Sequence, residues 1–191
     1  PLMEDEKSRE DENFRFVNQI KGGSIPTEYI GACEKGFEDV MDKGPLAAFP
    51  LINIQIFLQD GKHHDVDSSD LAFRTASRMA MRQAVKDATP ALLEPIMKVE
   101  VETPDDYQGA VIGDLSSRRG IIQGTEVNDQ NTTIVNAFVP LSEMFGYATE
   151  LRSMTSGKAG YTMEFAQYDE CPKSVAEKVI KERAEKLVER D

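Results

Sequence analysis

A proline-containing stretch interrupts the chain near its middle, and the pattern of strands and helices starts again after it. Thr89 is followed by Pro90, and a further proline stands at Pro95. A residue before proline is disfavoured in helix, so a helix that reaches this point ends there. The 191 residues allow one large domain or two small ones, since a domain takes about 100–200 residues. We predict two small domains, residues 1–91 and 92–191.

The first half of the chain has the periodicity of two strands and two helices. The predicted elements are strands at 14–20 and 51–58, a helix from Thr27 to the Gly44-Pro45 break, and a helix from Ser68 or Ser69 to near Ala88. Helical spacing predicts the inward face of the first helix, which consists of Tyr29, Ile30, Cys33, Phe37, Val40 and Met41. The second helix is predicted to pack closely on a sheet through small apolar residues, which are Ala72, Ala76, Met79, Ala80 and Ala84.

The second half predicts the order β-α-β-β-α-β, which is the split βαβ pattern of ferredoxin-like domains. The predicted strands are 97–102, 121–127, 132–139 and 160–168, and the predicted helices are 105–119 and 140–153. Residues 128–131 are expected to form a hairpin-type connection. A terminal helix over 174–189 is rich in Lys and Glu, so most of its surface is expected to face solvent.

The net charge excludes one class of function. The chain has 34 acidic and 22 basic side chains, a formal charge of −12. A protein that binds nucleic acid non-specifically is normally basic, because phosphate neutralisation drives its affinity. Any contact with RNA must therefore come from a local site or a docked surface. The 40% of apolar residues is enough for a packed core, which excludes wholesale disorder.

Neither the cysteines nor the apolar runs indicate secretion or a membrane. Cys33 and Cys171 are far apart and form neither a disulfide framework nor a CxxC zinc pair, which fits a reducing cytosol. No apolar run approaches the ~20 residues that span a bilayer, and the acidic start does not resemble a signal peptide. We expect a cytoplasmic, monomeric protein without a membrane partner.

The two histidines are adjacent, His63 and His64, in a polar stretch between a predicted strand and a predicted helix. Histidine and carboxylate bind zinc, but adjacent loop histidines rarely point at one ion, and no distant His or paired Cys completes a site. An acid–base role fits the pKa of His, but no nucleophile or orienting partner is evident. Two interpretations remain open: a solvated loop capped by Asp67 and Ser68, or a loop that inserts into a partner.

Arg118 and Arg119 close the predicted helix 105–119 just before Gly120. Two cations at this end complement the negative end of the helix dipole. They are also suited to binding RNA phosphate. The residues alone leave both interpretations open.

Several segments resemble bacterial elongation factor G, the ribosomal translocase. The resemblance covers about residues 14–175. The segments are FVNQIKGGSIPTEYI (16–30), HDVDSSDLAF (64–73), LLEPIM (92–97), SRRG (117–120), PLSEMFGYAT (140–149), LRS (151–153) and YTMEF (161–165). Together they are similar to the fourth and fifth domains of that factor.

The resemblance implies an α+β chain of two small domains. Residues 1–91 would be a partial left-handed βαβ-crossover domain, like one found in a ribosomal protein, with its N-terminal part missing. Residues 92–191 would be a ferredoxin-like βαββαβ domain with a C-terminal helix. The residue patterns by themselves favour only the second domain, because right-handed crossovers are the default.

The resemblance also implies sites. In the family, a tip loop of the fourth domain enters the decoding centre and contacts tRNA and mRNA; the similar residues here are Lys62, His63, His64 and Asp65. His64 stands at the family's histidine position before the VDSS run, whereas His63 departs from the aromatic residue common just ahead of it. The fifth domain is implied to touch ribosomal RNA, and the candidates are Arg118 and Arg119.

From the resemblance we expect the C-terminal part of a translocation factor that promotes GTP-dependent movement of tRNA and mRNA. Its expected partners are the ribosome, with its rRNA, tRNA and mRNA, and the other domains of the parent factor. We expect no metal, no cofactor and no enzymatic activity in this chain; GTP and magnesium would belong to the parent's GTPase domain. Gly31 and Gly36 have the spacing of a phosphate loop, but Phe37 stands where lysine is required.

Three alternatives stay open. The parent factor could be a ribosome-recycling or specialised paralogue of elongation factor G. The chain could be a stand-alone RNA-binding module. It could also be an enzyme whose site includes His64, Asp65 and Asp67, which would need a pocket and a perturbed pKa.

Overall fold

The structure, a computed structural model, describes residues 13–127 and 131–188. Most of the predicted 128–131 connection lies outside the described residues. The described residues divide into two compact units. The first lies within Pro1–Ala91 and Ala176–Asp191, and the second is Leu92–Val175. Each unit has its own cluster of buried apolar side chains.

The first unit is built on two parallel strands joined through a helix. Phe14 pairs with Ile54 and Asn18 pairs with Leu58, in register along the whole pair. The elements are β1 (Phe14–Asn18), α1 (Thr27–Glu38), β2 (Ile54–Leu58) and α2 (Asp70–Asp87). The segment from β1 to β2 is therefore a βαβ unit; its left-handed crossover stays a prediction from the resemblance.

Helices α1 and α2 pack closely because Gly36 has no side chain. A Cβ atom at Gly36 would lie 2.3 Å from the carbonyl oxygen of Arg74 and 2.9 Å from Cβ of Ser77. The ring of Tyr29 on α1 stacks on Phe73 of α2 with centroids 4.8 Å apart. The six side chains predicted for the inward face of this helix all pack in this core, but the helix ends at Glu38 rather than at the Gly44-Pro45 break, so Val40 and Met41 pack from the turns that follow it.

The predicted inward face of α2 is wrong. The buried side chains are Phe73, Ser77 and Met81, whereas the predicted stripe of Ala72, Ala76, Met79, Ala80 and Ala84 is exposed. Met79 is 64% exposed. Each residue turns the helix by about 100°, so the two stripes point in different directions. Burial of a phenyl ring and a long thioether removes more apolar area from water than burial of alanine methyls.

The second unit is a four-stranded antiparallel sheet with strand order β4-β5-β3-β6. The helices follow the first and third strands, which gives the predicted ferredoxin-like arrangement. The elements are β3 (Leu93–Pro104), α3 (Gln108–Ser117), β4 (Ile121–Val127), β5 (Thr132–Pro140), α4 (Tyr147–Met154) and β6 (Gly160–Glu170).

Both predicted helices of this unit begin as a 3-10 turn, over Asp105–Tyr107 and Leu141–Glu143. The second helix is then interrupted at Gly146, whose φ is 77°, so that α4 starts one residue later. On α3, Val111 and Leu115 are fully buried. The shape of the predicted helices is thus corrected, while their order along the chain is as predicted.

A terminal helix, α5 (Lys173–Val188), is present as predicted. The sequence placed it with the second domain, but its residues from Ala176 group with the first unit. Arg183 accounts for this difference. Its Nε donates to the carbonyl oxygen of Ala47 at 2.9 Å, and its guanidinium carbon lies 4.0 Å from the ring centroid of Phe49.

Two further observations concern the cysteines and the membrane. Cys33 and Cys171 are both unpaired and buried, and burial raises the pKa of the Cys171 thiol.

Across residues 13–127 and 131–188, no helix is both long and apolar enough to cross a bilayer.

Candidate functional site

Two loops lie side by side at one edge of the first sheet. We call residues 59–69 the tip loop and residues 19–26 the support loop. Because β1 and β2 are parallel, the loops that follow them leave the sheet at the same edge. Gln59 Nε2 donates to Gln19 Oε1 at 3.1 Å. A Cβ atom at Gly61 would lie 2.5 Å from Cδ1 of the buried Ile25, so this close approach requires glycine.

His63 is held against the support loop. Its Nδ1 lies 3.3 Å from the carbonyl oxygen of Ser24. A carbonyl only accepts, so this hydrogen bond requires a proton on Nδ1. The other ring nitrogen, Nε2, lies 3.7 Å from Asp65 Oδ1, and the His63 side chain is 39% exposed. His63 therefore links the two loops.

His64 has a fixed backbone and a projecting ring. Its backbone N–H donates to Ser68 Oγ at 2.8 Å, and the N–H of Ser68 donates to the carbonyl oxygen of His64 at 3.1 Å. The side chain is 72% exposed, with Nδ1 3.5 Å from Asp67 Oδ2. These two bonds close a turn that presents the imidazole to solvent.

The helix cap behind the loop differs from the one predicted. Ser69 is the N-cap of α2, and its Oγ accepts from the backbone N–H of Ala72 at 3.1 Å. Neither Asp67 nor Ser68 caps the helix: Asp67 lies beside His64, and Ser68 closes the turn. The cap therefore lies one residue beyond the predicted pair, at the junction of the tip loop and α2.

The tip loop is polar but not positively charged. Lys62 is exposed, and Asp65 has a side chain that is 94% exposed. The backbone N–H of Gly61 donates to Asp60 and holds the pKa of that carboxyl below its usual range. The carboxylates of the loop, Asp60, Asp65 and Asp67, outnumber its single lysine. The loop therefore offers hydrogen-bond donors and shape to a partner rather than a positive field.

The two imidazoles do not converge on one point. The ring of His63 contacts Ser24 and Asp65, whereas the ring of His64 lies beside Asp67. Within the described residues, no group of three or more His, Cys, Asp or Glu side chains is arranged to hold a metal ion.

Arg118 is engaged inside the second unit. Its Nε donates to Asp114 Oδ2 at 2.8 Å, and its Nη1 donates to the carbonyl oxygen of Glu143 at 2.6 Å. Its guanidinium carbon lies 5.1 Å from the ring centroid of Tyr147. Only 18% of the side chain is exposed.

Arg119 is engaged as well. Both of its terminal nitrogens donate to the carboxylate of Glu94, and Nη1 also lies 3.6 Å from Glu143 Oε1. The bond to Glu94 raises the pKa of Arg119 further above its ordinary value. Its side chain is 28% exposed. Each arginine thus has an internal acceptor, and a contact of either one with RNA stays a prediction.

Sequence reasoning missed the support loop as part of the site. Residues 22–26 lie between the predicted strand 14–20 and the predicted helix that begins at Thr27, and no sequence pattern links them to residues 62–65. The consecutive glycines Gly22 and Gly23, with φ of 69° and 70°, were the available signal for an ordered turn. The partner of this loop, His63, lies about forty residues further along, and no local pattern reveals such a contact.

Two family models match the chain over adjacent ranges. The model described as elongation factor G, domain IV, matches residues 3–89, and the model described as elongation factor G C-terminus matches residues 91–179. Elongation factor G of Aquifex pyrophilus is 52% identical over 182 residues, which are 95% of this chain and 26% of that protein. A crystal structure from Thermus thermophilus is 39% identical, with a TM-score of 0.81 over 91% of this chain and 26% of that one.

Both units therefore have the sequence and the fold of domains of a translation factor. The chain belongs to the elongation factor G family, and it corresponds to domain IV followed by the C-terminal domain. It spans about a quarter of the length of the relative and of the solved structure named above, 26% of each.

Proposed function

We propose that this chain is the part of a ribosomal translocation factor that contacts tRNA and mRNA. In this proposal the tip loop enters the decoding centre while the parent factor hydrolyses GTP. GTP and magnesium bind in another domain of the parent. The place of action is the cytoplasm, where ribosomes translate.

The observation that carries the proposal is the geometry of His64. Its backbone is closed by two hydrogen bonds to Ser68, and its ring is 72% exposed. A fixed backbone with a projecting donor suits insertion between RNA strands, because little conformational entropy is lost on binding. His64 therefore acts by contact with RNA, and Lys62 can donate to phosphate or ribose oxygens beside it.

Arg118 and Arg119 have a more indirect place in this proposal. Their internal bonds fix the end of α3 against β3 and the 3-10 turn before α4. Any contact with rRNA uses donor groups left over from those bonds. A charge reversal at these positions would disturb folding together with binding, so it has to be read against a stability measurement.

The proposal is tested in the full-length factor with His64→Ala. We expect movement of tRNA and mRNA to slow about tenfold, the effect of losing about 1.4 kcal/mol of stabilisation in the rate-limiting step. GTP hydrolysis on the ribosome should keep its rate. Lys43→Ala, which removes an exposed cation outside the tip loop, is the matched control and should leave both rates unchanged.

Pre-steady-state measurement of both rates decides the outcome. An unchanged rate of movement in His64→Ala would contradict the proposal, and equal loss of both rates would indicate a docking defect. A loss that follows a single ionisation would favour an acid–base role instead. Assaying ribosome splitting with the same proteins separates translocation from recycling, since a recycling factor splits ribosomes without moving tRNA.

A further inference from the structure

Helix α2 carries a straight row of cations in an acidic chain. Arg74, Arg78, Arg82 and Lys86 recur at every fourth residue. Residues four apart lie on the same face of a helix, and each step advances about 6 Å along the axis. The row runs beside the buried stripe that begins at Phe73, so it follows one edge of the helix.

Only the first of these cations forms a close ion pair among the described residues, although the charge of Arg78 also acts on Asp39 at longer range. Arg74 makes two hydrogen bonds to Asp39, at 2.7 and 2.8 Å. In the part of the chain that the structure describes, no ion pair reaches Arg78, Arg82 or Lys86. Arg82 and Lys86 are exposed, and Arg78 is half-buried with a long hydrogen bond of 3.5 Å to Thr75. We call these three side chains the α2 cation row.

Within the isolated chain, the α2 cation row destabilises helix α2. Like charges four residues apart destabilise a helix, by about 0.2–0.5 kcal/mol per pair. The two acidic residues of α2 are Asp70 and Asp87 at its ends, and Asp87 accepts from Gln83 at 2.8 and 2.9 Å. A chain with 34 acidic residues could place one between these cations, yet none stands there.

We infer that the α2 cation row binds the phosphodiester backbone of RNA. The inference rests on the proposed function and supplies what the tip loop lacks, since that loop offers donors without net positive charge. Evenly spaced cations along a line match the repeated charges of a phosphate chain better than the scattered carboxylates of a protein surface. Arginine also binds phosphate through two parallel hydrogen bonds.

The test uses the full-length factor with Arg78→Gln, Arg82→Gln and Lys86→Gln combined. Glutamine keeps helix propensity close to that of the cations it replaces. The matched control exchanges Lys178, Lys181 and Lys186 of α5 for Gln, which removes the same charge from another helix. Binding to salt-washed ribosomes and to a short RNA duplex is measured across a range of salt concentrations.

We expect the slope of log affinity against log salt to fall by about two to three in the α2 variant, at about 0.7–0.9 per phosphate lost. The control should keep the wild-type slope. An unchanged slope in the α2 variant overturns the inference. The inference is also overturned if the α2 variant loses affinity for ribosomes while the wild type does not bind the duplex. The partner of the α2 cation row would then be an acidic protein surface. The wild type could also bind the duplex but not ribosomes. A reduced slope of the α2 variant on the duplex would then support the inference and contradict the proposed function.

Discussion

Arg119 and Glu94 form a bidentate ion pair that ties the end of α3 to the start of β3. Nη1 of Arg119 donates to Glu94 Oε2 at 3.1 Å, and Nη2 donates to Oε1 of the same carboxylate. The Glu94 side chain is only 11% exposed. Arg119 itself has a positive φ of 62°, so the turn after α3 is held in a conformation that most residues avoid.

Removing one partner should destabilise the second unit. We expect Arg119→Met to lower the free energy of unfolding by about 1–3 kcal/mol, because it leaves the Glu94 carboxylate buried without its donor. Urea unfolding measures this loss, and the double variant with Glu94→Leu should recover part of it. Lys98→Gln serves as the control. Lys98 and Glu100 form an exposed ion pair, and the loss of this pair should hardly change the urea concentration at the midpoint of unfolding. Equal effects of the two exchanges would contradict the assigned role of Arg119.

Two glycines of α1 should respond in opposite ways to alanine. Gly36→Ala places a Cβ atom 2.3 Å from the backbone oxygen of Arg74 and should destabilise the chain by about 1–3 kcal/mol. At Gly31 the same atom meets nothing within 4 Å, so Gly31→Ala should stabilise by up to about 1 kcal/mol through helix propensity. Thermal unfolding of both variants measures the sign. Stabilisation by Gly36→Ala would mean that α1 and α2 are further apart than described.

The Asp39–Arg74 pair should contribute to stability at neutral pH and not in acid. The hydrogen bonds from Arg74 hold the pKa of Asp39 below its ordinary value of 3.8. A carboxyl with a lowered folded-state pKa stabilises the fold fully above the unfolded value, and the contribution disappears as pH falls through the folded value. Asp39→Asn should therefore be less stable than the wild type at neutral pH, and the difference should shrink in acid.

Melting temperatures between neutral pH and values below 3.8 test this prediction. The control is Asp42→Asn, an exposed carboxyl close by in the chain for which no ion pair is found among the described residues. If the difference in melting temperature between the wild type and Asp39→Asn stayed constant with pH, the assigned role of the pair would be contradicted.

Gly61 should control the position of the tip loop. Gly61→Ala would place a Cβ atom 2.5 Å from Cδ1 and 2.6 Å from Cγ1 of Ile25, so the loop or the isoleucine has to shift. We expect slower tRNA–mRNA movement in the full-length factor with unchanged GTP hydrolysis. Adding Ile25→Ala removes both Cδ1 and Cγ1 and should restore part of the rate, although Ile→Ala alone costs about 2–5 kcal/mol of stability. Absence of rescue would show that contact with Ile25 is not the cause.

The order of elements was predictable because it depends on local patterns. The strand 121–127 has the predicted bounds, since the sequence has Gly120 directly before it and Asn-Asp-Gln-Asn directly after it. The inward face of α2 was not predictable in the same way. Two stripes of α2, one starting at Ala72 and one at Phe73, both repeat every four residues with apolar members. The stacking partner of Phe73, Tyr29, decides between them, and it lies on another helix.

The candidate site shows the same division. The position of the tip loop between β2 and α2 follows from the sequence, and so does its polar, exposed character. The partners of its side chains do not: Ser24 contacts His63 from the preceding loop, and Glu94 contacts Arg119 from another strand. Contacts of this kind depend on the packed fold, so spacing along the chain could not reveal them.

The turn that Ser68 closes around His64 fixes where residue 64 lies in the tip loop, but it does not depend on which side chain stands there. Both hydrogen bonds of that turn use the backbone of His64, whereas the ring makes only long contacts, with Nδ1 3.5 Å from the backbone nitrogen of Val66 and 3.5 Å from Asp67 Oδ2. A side chain that leaves these two backbone bonds intact would project from the same point. A series of substitutions at residue 64 therefore varies the group that contacts the target, while the position of its backbone stays constant. Differences in rate across such a series would measure what each side chain does to its target.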